Sequence, residues 1–119
     1  MPETIDLWII EDHKTYGERL VKALNRLDGI SCTQRFTACE DAFAALTTEP
    51  APQVLLLDVG LPGMNGIEGI TRLRQLAPSI AIVILTVFEE DDKIFRAICA
   101  GAAGYLLKTS NTEDIAAAL

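Results

Sequence analysis

Basic residues are scarce in this chain: ten lysines and arginines face seventeen aspartates and glutamates among 119 residues, a formal charge of −7. That balance repels a polyphosphate backbone, so these residues alone are not a nucleic-acid-binding unit. Cysteine is thin as well. Cys32, Cys39 and Cys99 are odd in number, widely spaced and outside any CxxC or Cys/His pattern, which argues against zinc or a disulfide framework and for buried free thiols. Long apolar runs are missing: Val54–Leu57 and Ile80–Leu85 fall far short of the roughly 18 residues of a membrane span. No basic segment precedes the first apolar run as in a secretory leader, and the expectation is a cytoplasmic protein with no membrane contact. Internal repeats, low-complexity tracts and linkers are absent too, and 119 residues make one domain, which excludes a two-domain enzyme. What the chain does have is apolar material, 50% of its residues, with a mean hydropathy of +0.26. A chain of this size buries roughly two thirds of its unfolded surface, so it folds without staples.

Five short β-branched or leucine-rich runs, Ile5–Ile10, Cys32–Thr37, Val54–Leu57, Ile80–Leu85 and Gly104–Leu107, read as strands. Several are apolar without alternation, as in a parallel sheet covered on both faces, and the segments between them carry helical periodicity. The expectation is a single α/β domain: a doubly wound, flavodoxin-like parallel sheet of five strands in the order 2-1-3-4-5, with five helices. The first helix, Lys14 to Leu27, places Tyr16, Leu20, Ala23, Leu24 and Leu27 on one stripe. Thr37-Ala-Cys-Glu40 and Ser110-Asn-Thr-Glu113 fit capping boxes at the second and fifth helices. The third helix follows Pro62-Gly-Met-Asn65, with Asn65 as N-cap and Ile67, Ile70, Leu73 and Leu76 inward. The fourth opens on Glu89-Glu-Asp-Asp92, a run suited to the positive end of a helix dipole and not read as a metal site. The chain stops at Leu119 with the last helix still running.

Ligands of open α/β sheets bind beyond the carboxyl ends of the strands, where the winding reverses. The first strand ends in Glu11-Asp12, the third in Asp58, the fourth in Thr86 and the fifth in Lys108. Provided the first and third strands are neighbours, three acids, one hydroxyl and one lysine share a crevice. Carboxylates about 5 Å apart repel by roughly 3 kcal/mol per pair at an effective dielectric near 20, which implies a compensating divalent cation. Magnesium suits oxygen ligands and commonly bridges to a phosphate; the lysine and threonine suit phosphate oxygens. The set describes a phosphoryl-transfer site in which an ionised aspartate is itself the nucleophile. Asp58 is the natural one, because the Gly60-Leu-Pro-Gly63 turn lets backbone approach closely. Any one of these residues alone would read as a turn, cap or surface group; their coincidence at four strand ends carries the reading.

Rival functions lack their parts. A flavin- or nucleotide-binding module needs a Ser/Thr/Gly-rich loop after the first strand, where this chain has Glu11-Asp-His-Lys14. Gly63, Gly66 and Gly69 are spaced GxxGxxG, not GxGxxG. An aspartate-nucleophile phosphatase generally has a second acid two residues after the nucleophile, where Gly60 stands.

At these residues the chain resembles the receiver domain of bacterial two-component response regulators, over essentially its whole length: Glu11-Asp12, Leu55-Leu-Leu-Asp58, Leu61-Pro-Gly-Met-Asn-Gly66, Ile82-Val-Ile-Leu-Thr86 and Gly104-Tyr-Leu-Leu-Lys108. Glu11-Asp-His13 and Ala100-Gly-Ala-Ala-Gly-Tyr-Leu-Leu-Lys108 are most similar to the NarL/FixJ class, whose members usually carry a C-terminal LuxR-type helix-turn-helix DNA-binding domain. The resemblance implies an N-terminal portion, residues 1–119, of a longer transcription regulator; a stand-alone receiver acting as a phosphorelay or interaction module is the alternative. It implies that a sensor histidine kinase phosphorylates Asp58, with Mg²⁺ held by Asp12, Asp58 and the Gly60 carbonyl and with Glu11 acting through water. Lys108 pairs with the phosphoryl group, Thr86 moves to hydrogen-bond it, and Tyr105 turns into the vacated space. The outcome is a phosphorylation-dependent homodimer or release of the output domain, which alone would touch DNA. Such a chain is a phosphoacceptor that assists its own phosphorylation and dephosphorylation, not an enzyme of metabolism.

Some positions depart from the commonest pattern. Thr109 follows the lysine where many receivers have proline. Val87 is bulkier than the small residue often found after the threonine, and Phe88 adds an apolar wall expected to hinder attacking water and lengthen the phosphoprotein's life. A polar residue at Phe88 is then expected to speed dephosphorylation, and an unchanged lifetime would discard the idea. His13 reads as a surface residue at the start of the first helix, not a phosphohistidine, and Trp8 reads as packing.

Overall fold

The computed structural model describes residues 4–58, 66–86, 98, 101–108 and 112–117. Its strands are β1 (Ile5–Ile10), β2 (Ile30–Phe36), β3 (Val54–Leu57), β4 (Ala81–Thr86) and β5 (Gly104–Leu107). Among the described residues the helices are α1 (Lys14–Asn25), α2 (Cys39–Leu46), α3 (Gly66–Leu76) and α4 (Thr112–Ala117). All neighbouring strands pair parallel, in the order β2-β1-β3-β4-β5. The adjacency of β1 and β3 that the site requires is therefore real, with Ile10 opposite Leu57.

Side chains alternate along each strand, and in the central strands β1, β3 and β4 both sets are largely buried. Trp8, Ile10, Leu55, Leu57, Ile82 and Ile84 face Ala42 of α2 and Ile70 and Leu73 of α3. Leu7, Ile9, Val54, Leu56, Val83 and Leu85 face Leu20 and Leu24 of α1 and Ile115 of α4. Two covered faces explain the unbroken apolar runs. Trp8 is packing, as expected: it is buried and meets Phe36 edge-on, with ring centroids 5.3 Å apart. Cys32 and Cys39 are buried free thiols, whereas Cys99 lies outside the described residues.

Three local expectations need correction. The capping box at Thr37 does not form, because α2 starts at Cys39 with Ala38 as N-cap and no side-chain cap bond; Glu40 is thus one position too early in the helix to reach back. Leu76, expected inward, is 46% exposed. At 100° per residue the stripe of Ile70 and Leu73 continues to buried Ala77, and Leu76 falls well to one side. Helix α1 ends at Asn25, two residues before Leu27. Asn25 turns back on β2, where its Oδ1 accepts from the Cys32 amide (2.7 Å) and its Nδ2 donates to the Cys32 carbonyl (3.3 Å). Gly29, at φ +87°, makes the turn between them, and its carbonyl accepts from the Ile5 amide at 2.8 Å. The expected caps at Asn65 and Ser110 and the fourth helix from Glu89 lie outside the described residues.

No helix among the described residues is long and apolar enough to cross a membrane.

Candidate functional site

Strand parity gathers the polar side chains. Glu11 continues the series Leu7, Ile9; Asp58 continues Val54, Leu56; Lys108 continues Leu106. All three series face α1. The strand ends are pinned by main-chain bonds: the Glu11 amide donates to the Phe36 carbonyl (2.8 Å), and the Asp58 amide to the Ile10 carbonyl (3.1 Å). Glu11 and Asp58 are the buried charged residues among those described, and Asp12 is exposed. One carboxylate oxygen from each of Glu11, Asp12 and Asp58 lies within 4.8 Å of the others, a spacing that fits one hard cation.

Lys108 supplies the positive charge. Its Nζ is 3.0 Å from Asp58 Oδ2 and lies directly against Glu11 Oε1, an oxygen with no other hydrogen-bond partner among the described residues. Burial acts to lower the lysine's pKa, but its bonds to Glu11 and Asp58 prevail and hold it above the ordinary value. Glu11 moves the other way from most carboxyls in ion pairs. Burial, with Asp58 beside it, lifts it from 4.5 to about 7 against the pull of Lys108. A carboxyl whose folded pKa is raised contributes stability below its unfolded value, and that contribution is lost as pH rises through about 7. Near neutrality, then, the cluster is short of positive charge.

Two neighbours complete the floor of the site, and neither was foreseen in the sequence. Tyr16, assigned to the apolar stripe of α1, lies with its ring 4.9 Å from Lys108 Nζ, a cation–π contact that helps to hold the ammonium over the acids. Its hydroxyl is buried without a hydrogen-bond partner among the described residues, and burial pushes the phenol's pKa up, with Lys108 opposing. Replacing Tyr16 with phenylalanine keeps the ring and removes the orphan, so denaturant unfolding is expected to show a gain of about 1 kcal/mol; a loss of that size would mean that the hydroxyl has a partner. The second neighbour is Arg35, whose Nη1 donates to the Glu11 carbonyl at 3.0 Å. Its only sequence signal is a cation at the end of β2.

The other expected residues divide between the ends of β4 and β5, the start of α1 and segments outside the described residues. Thr86 ends β4 opposite Leu107, one residue before Lys108; its side chain lies outside the described residues. Tyr105 pairs with Ile84 and is 45% exposed. His13 is exposed, as expected, and is the N-cap of α1: its Nδ1 accepts from the Tyr16 amide at 3.1 Å, and its own amide reaches Glu11 Oε2 at 3.3 Å. Gly60, Val87, Phe88 and Thr109 lie outside the described residues.

A family profile, the response regulator receiver domain, matches residues 7–119. Over 115 residues the chain is 32% identical to the response regulator GacA of Pseudomonas aeruginosa, covering 97% of this chain and 53% of that protein. The signal receiver domain of NarL from Mycobacterium tuberculosis superposes with a TM-score of 0.90 at 26% identity, covering 98% of this chain and 94% of that one. A LuxR-family two-component response regulator from Aurantimonas gives a TM-score of 0.89 at 27% identity, covering 98% and 82%. The chain belongs to the response regulator receiver domain family. It spans about half the length of the curated relatives it matches.

Proposed function

We propose that Asp58 accepts a phosphoryl group from the phosphohistidine of a sensor kinase, in the cytoplasm, and that the chain is a phosphoacceptor and not a turnover enzyme. The observation that carries this reading is a buried Asp58 carboxylate with a lysine ammonium 3.0 Å from Oδ2 and two further carboxylates within 4.8 Å. An Asp58 oxygen attacks phosphorus, the P–N bond breaks, and the imidazole nitrogen keeps the bonding pair. Lys108, already against Oδ2, meets the phosphoryl oxygens without having to be ordered first. Asp58 is buried, which limits water around the acyl phosphate. Glu11, Asp12, Asp58 and the Gly60 carbonyl are the groups that would hold Mg²⁺, Glu11 through water, and the ion would offset charge on the transferring oxygens.

The output belongs to the same reading. Thr86 closes on the phosphoryl group and Tyr105, outward in this structure, turns in, reshaping the face of β5 and of a fourth of five helices spanning the segment after β4. Phosphorylated chains pair, and a LuxR-type DNA-binding domain beyond these residues is released to act on DNA. The similarity to a LuxR-family regulator supports this assignment.

Incubation with Mg²⁺ and acetyl phosphate is expected to add one acid-stable, base-labile phosphate, and an unmodified protein overturns the reading. The ion should also compete with a proton. Because Glu11 ionises only near about 7, apparent Mg²⁺ affinity is expected to be about tenfold weaker at pH 6 than at pH 8, measured by titration at fixed ionic strength. A pH-independent affinity would remove Glu11 from the ion's surroundings.

A further inference from the structure

Arg35 is placed by an irregularity in the sheet. Along β1 and β2 the register runs Leu7 to Cys32 and then jumps from Trp8 to Gln34, so Thr33 is an inserted residue. Such an insertion reverses the side-chain alternation beyond it and re-aims the later residues of the strand. Cys32 packs on the α1 side; four residues later Phe36, which an unbroken strand would keep on that side, packs on the other. Arg35, opposite Ile9, is thereby turned toward α1 and the acidic loop.

A gap in α1 receives it. Gly17 is buried, and a Cβ built there would lie 2.8 Å from Arg35 Nη1 and 2.9 Å from its Cδ. A glycine inside a helix costs about 1 kcal/mol relative to alanine, so its presence at the crossing needs a compensating contact. The contact is the guanidinium bond to the Glu11 carbonyl at 3.0 Å. With the Glu11 amide already held by the Phe36 carbonyl, both main-chain polar groups of Glu11, the second of them in the peptide leading into Asp12, are held by β2. Beyond Ile10 the ladder has no further strand residue to offer; Arg35 extends it by one rung with a side chain.

We propose that Arg35 is a positioning residue for the Glu11–Asp12 pair, seated by the space above Gly17, and that it sets the divalent-ion affinity of the site. The inference rests on the function proposed above. Groups that orient ligands through hydrogen bonds typically govern affinity by tenfold or more.

The test is a Mg²⁺ titration followed by the amide NMR signals of Asp12 and Asp58, with the melting temperature measured on the same samples. Arg35→Gln is expected to weaken Mg²⁺ binding about tenfold, with Arg35→Lys between it and the parent because a single ammonium still reaches one carbonyl. Gly17→Ala should also weaken binding while leaving the melting temperature unchanged or higher, since alanine favours the helix but its methyl unseats the flexible arginine. In the Arg35→Gln background Gly17→Ala should have no further effect on affinity. Unchanged affinity in both single variants, additive losses in the double variant, or losses that track melting temperature overturn the proposal. A parent protein whose Asp12 and Asp58 signals do not respond to Mg²⁺ overturns the underlying function instead.

Discussion

Replacing Lys108 with methionine is expected to destabilise the ion-free protein by about 3 kcal/mol at pH 8, because two buried carboxylates are left without their cation. The loss depends on pH in a definite direction. Lys108 is what holds Glu11 down, so the variant's Glu11 is lifted beyond its present value of about 7 and takes up a proton more readily. At pH 6 that proton substitutes for the missing ammonium, and the loss should shrink to about 1 kcal/mol. Saturating Mg²⁺ at pH 8 should narrow the gap in the same way, by supplying positive charge to the same oxygens. Urea unfolding of both proteins at the two pH values, with and without the ion, checks this. An equal loss at both pH values would mean that Lys108 acts through packing alone.

Replacing Asp58 with asparagine is expected to abolish phosphate incorporation from acetyl phosphate while leaving the ion-free protein intact or more stable by about 1 kcal/mol. The carboxamide has nearly the carboxylate's shape but no anionic oxygen to attack phosphorus. Its effect on stability comes from charge. Glu11 and Asp58 share one lysine, so removing Asp58 leaves a matched Glu11–Lys108 pair and relieves the repulsion that helps to lift Glu11. The two variants thus move stability in opposite directions although both damage the site, which a general disruption of the fold would not do. Mass spectrometry and urea unfolding on one preparation measure both effects, and residual phosphorylation of the asparagine variant would place the acceptor elsewhere.

Several strands were legible because their runs are short and apolar without alternation, as in a doubly covered parallel sheet; β1, β3 and β5 have the bounds their residues indicated, β4 is shifted by one residue to Ala81–Thr86, and the polar β2 runs Ile30–Phe36 where Cys32–Thr37 was expected. The acids and the lysine were legible because each directly succeeds a run. That the three side chains face one layer is a matter of parity once the strand bounds are known, and is visible in retrospect in the even spacing of Ile9 to Glu11 and Leu56 to Asp58. Other features leave no such mark. The inserted Thr33 looks like any polar residue in an edge strand, so the direction of Arg35 could not be read. Tyr16 satisfied the apolar pattern of α1, and its contact with Lys108 depends on the long lysine side chain reaching from the end of β5 to its ring. The Thr37 box failed by one residue, a shift to which a three-residue spacing motif is fully sensitive.

The most direct test of the account is to find where phosphorus goes. Peptide mapping after treatment with Mg²⁺ and acetyl phosphate should place a single phosphoryl group on the fragment containing Asp58, with none incorporated when the divalent ion is chelated. Modification on a fragment containing His13, or incorporation indifferent to chelation, would contradict it.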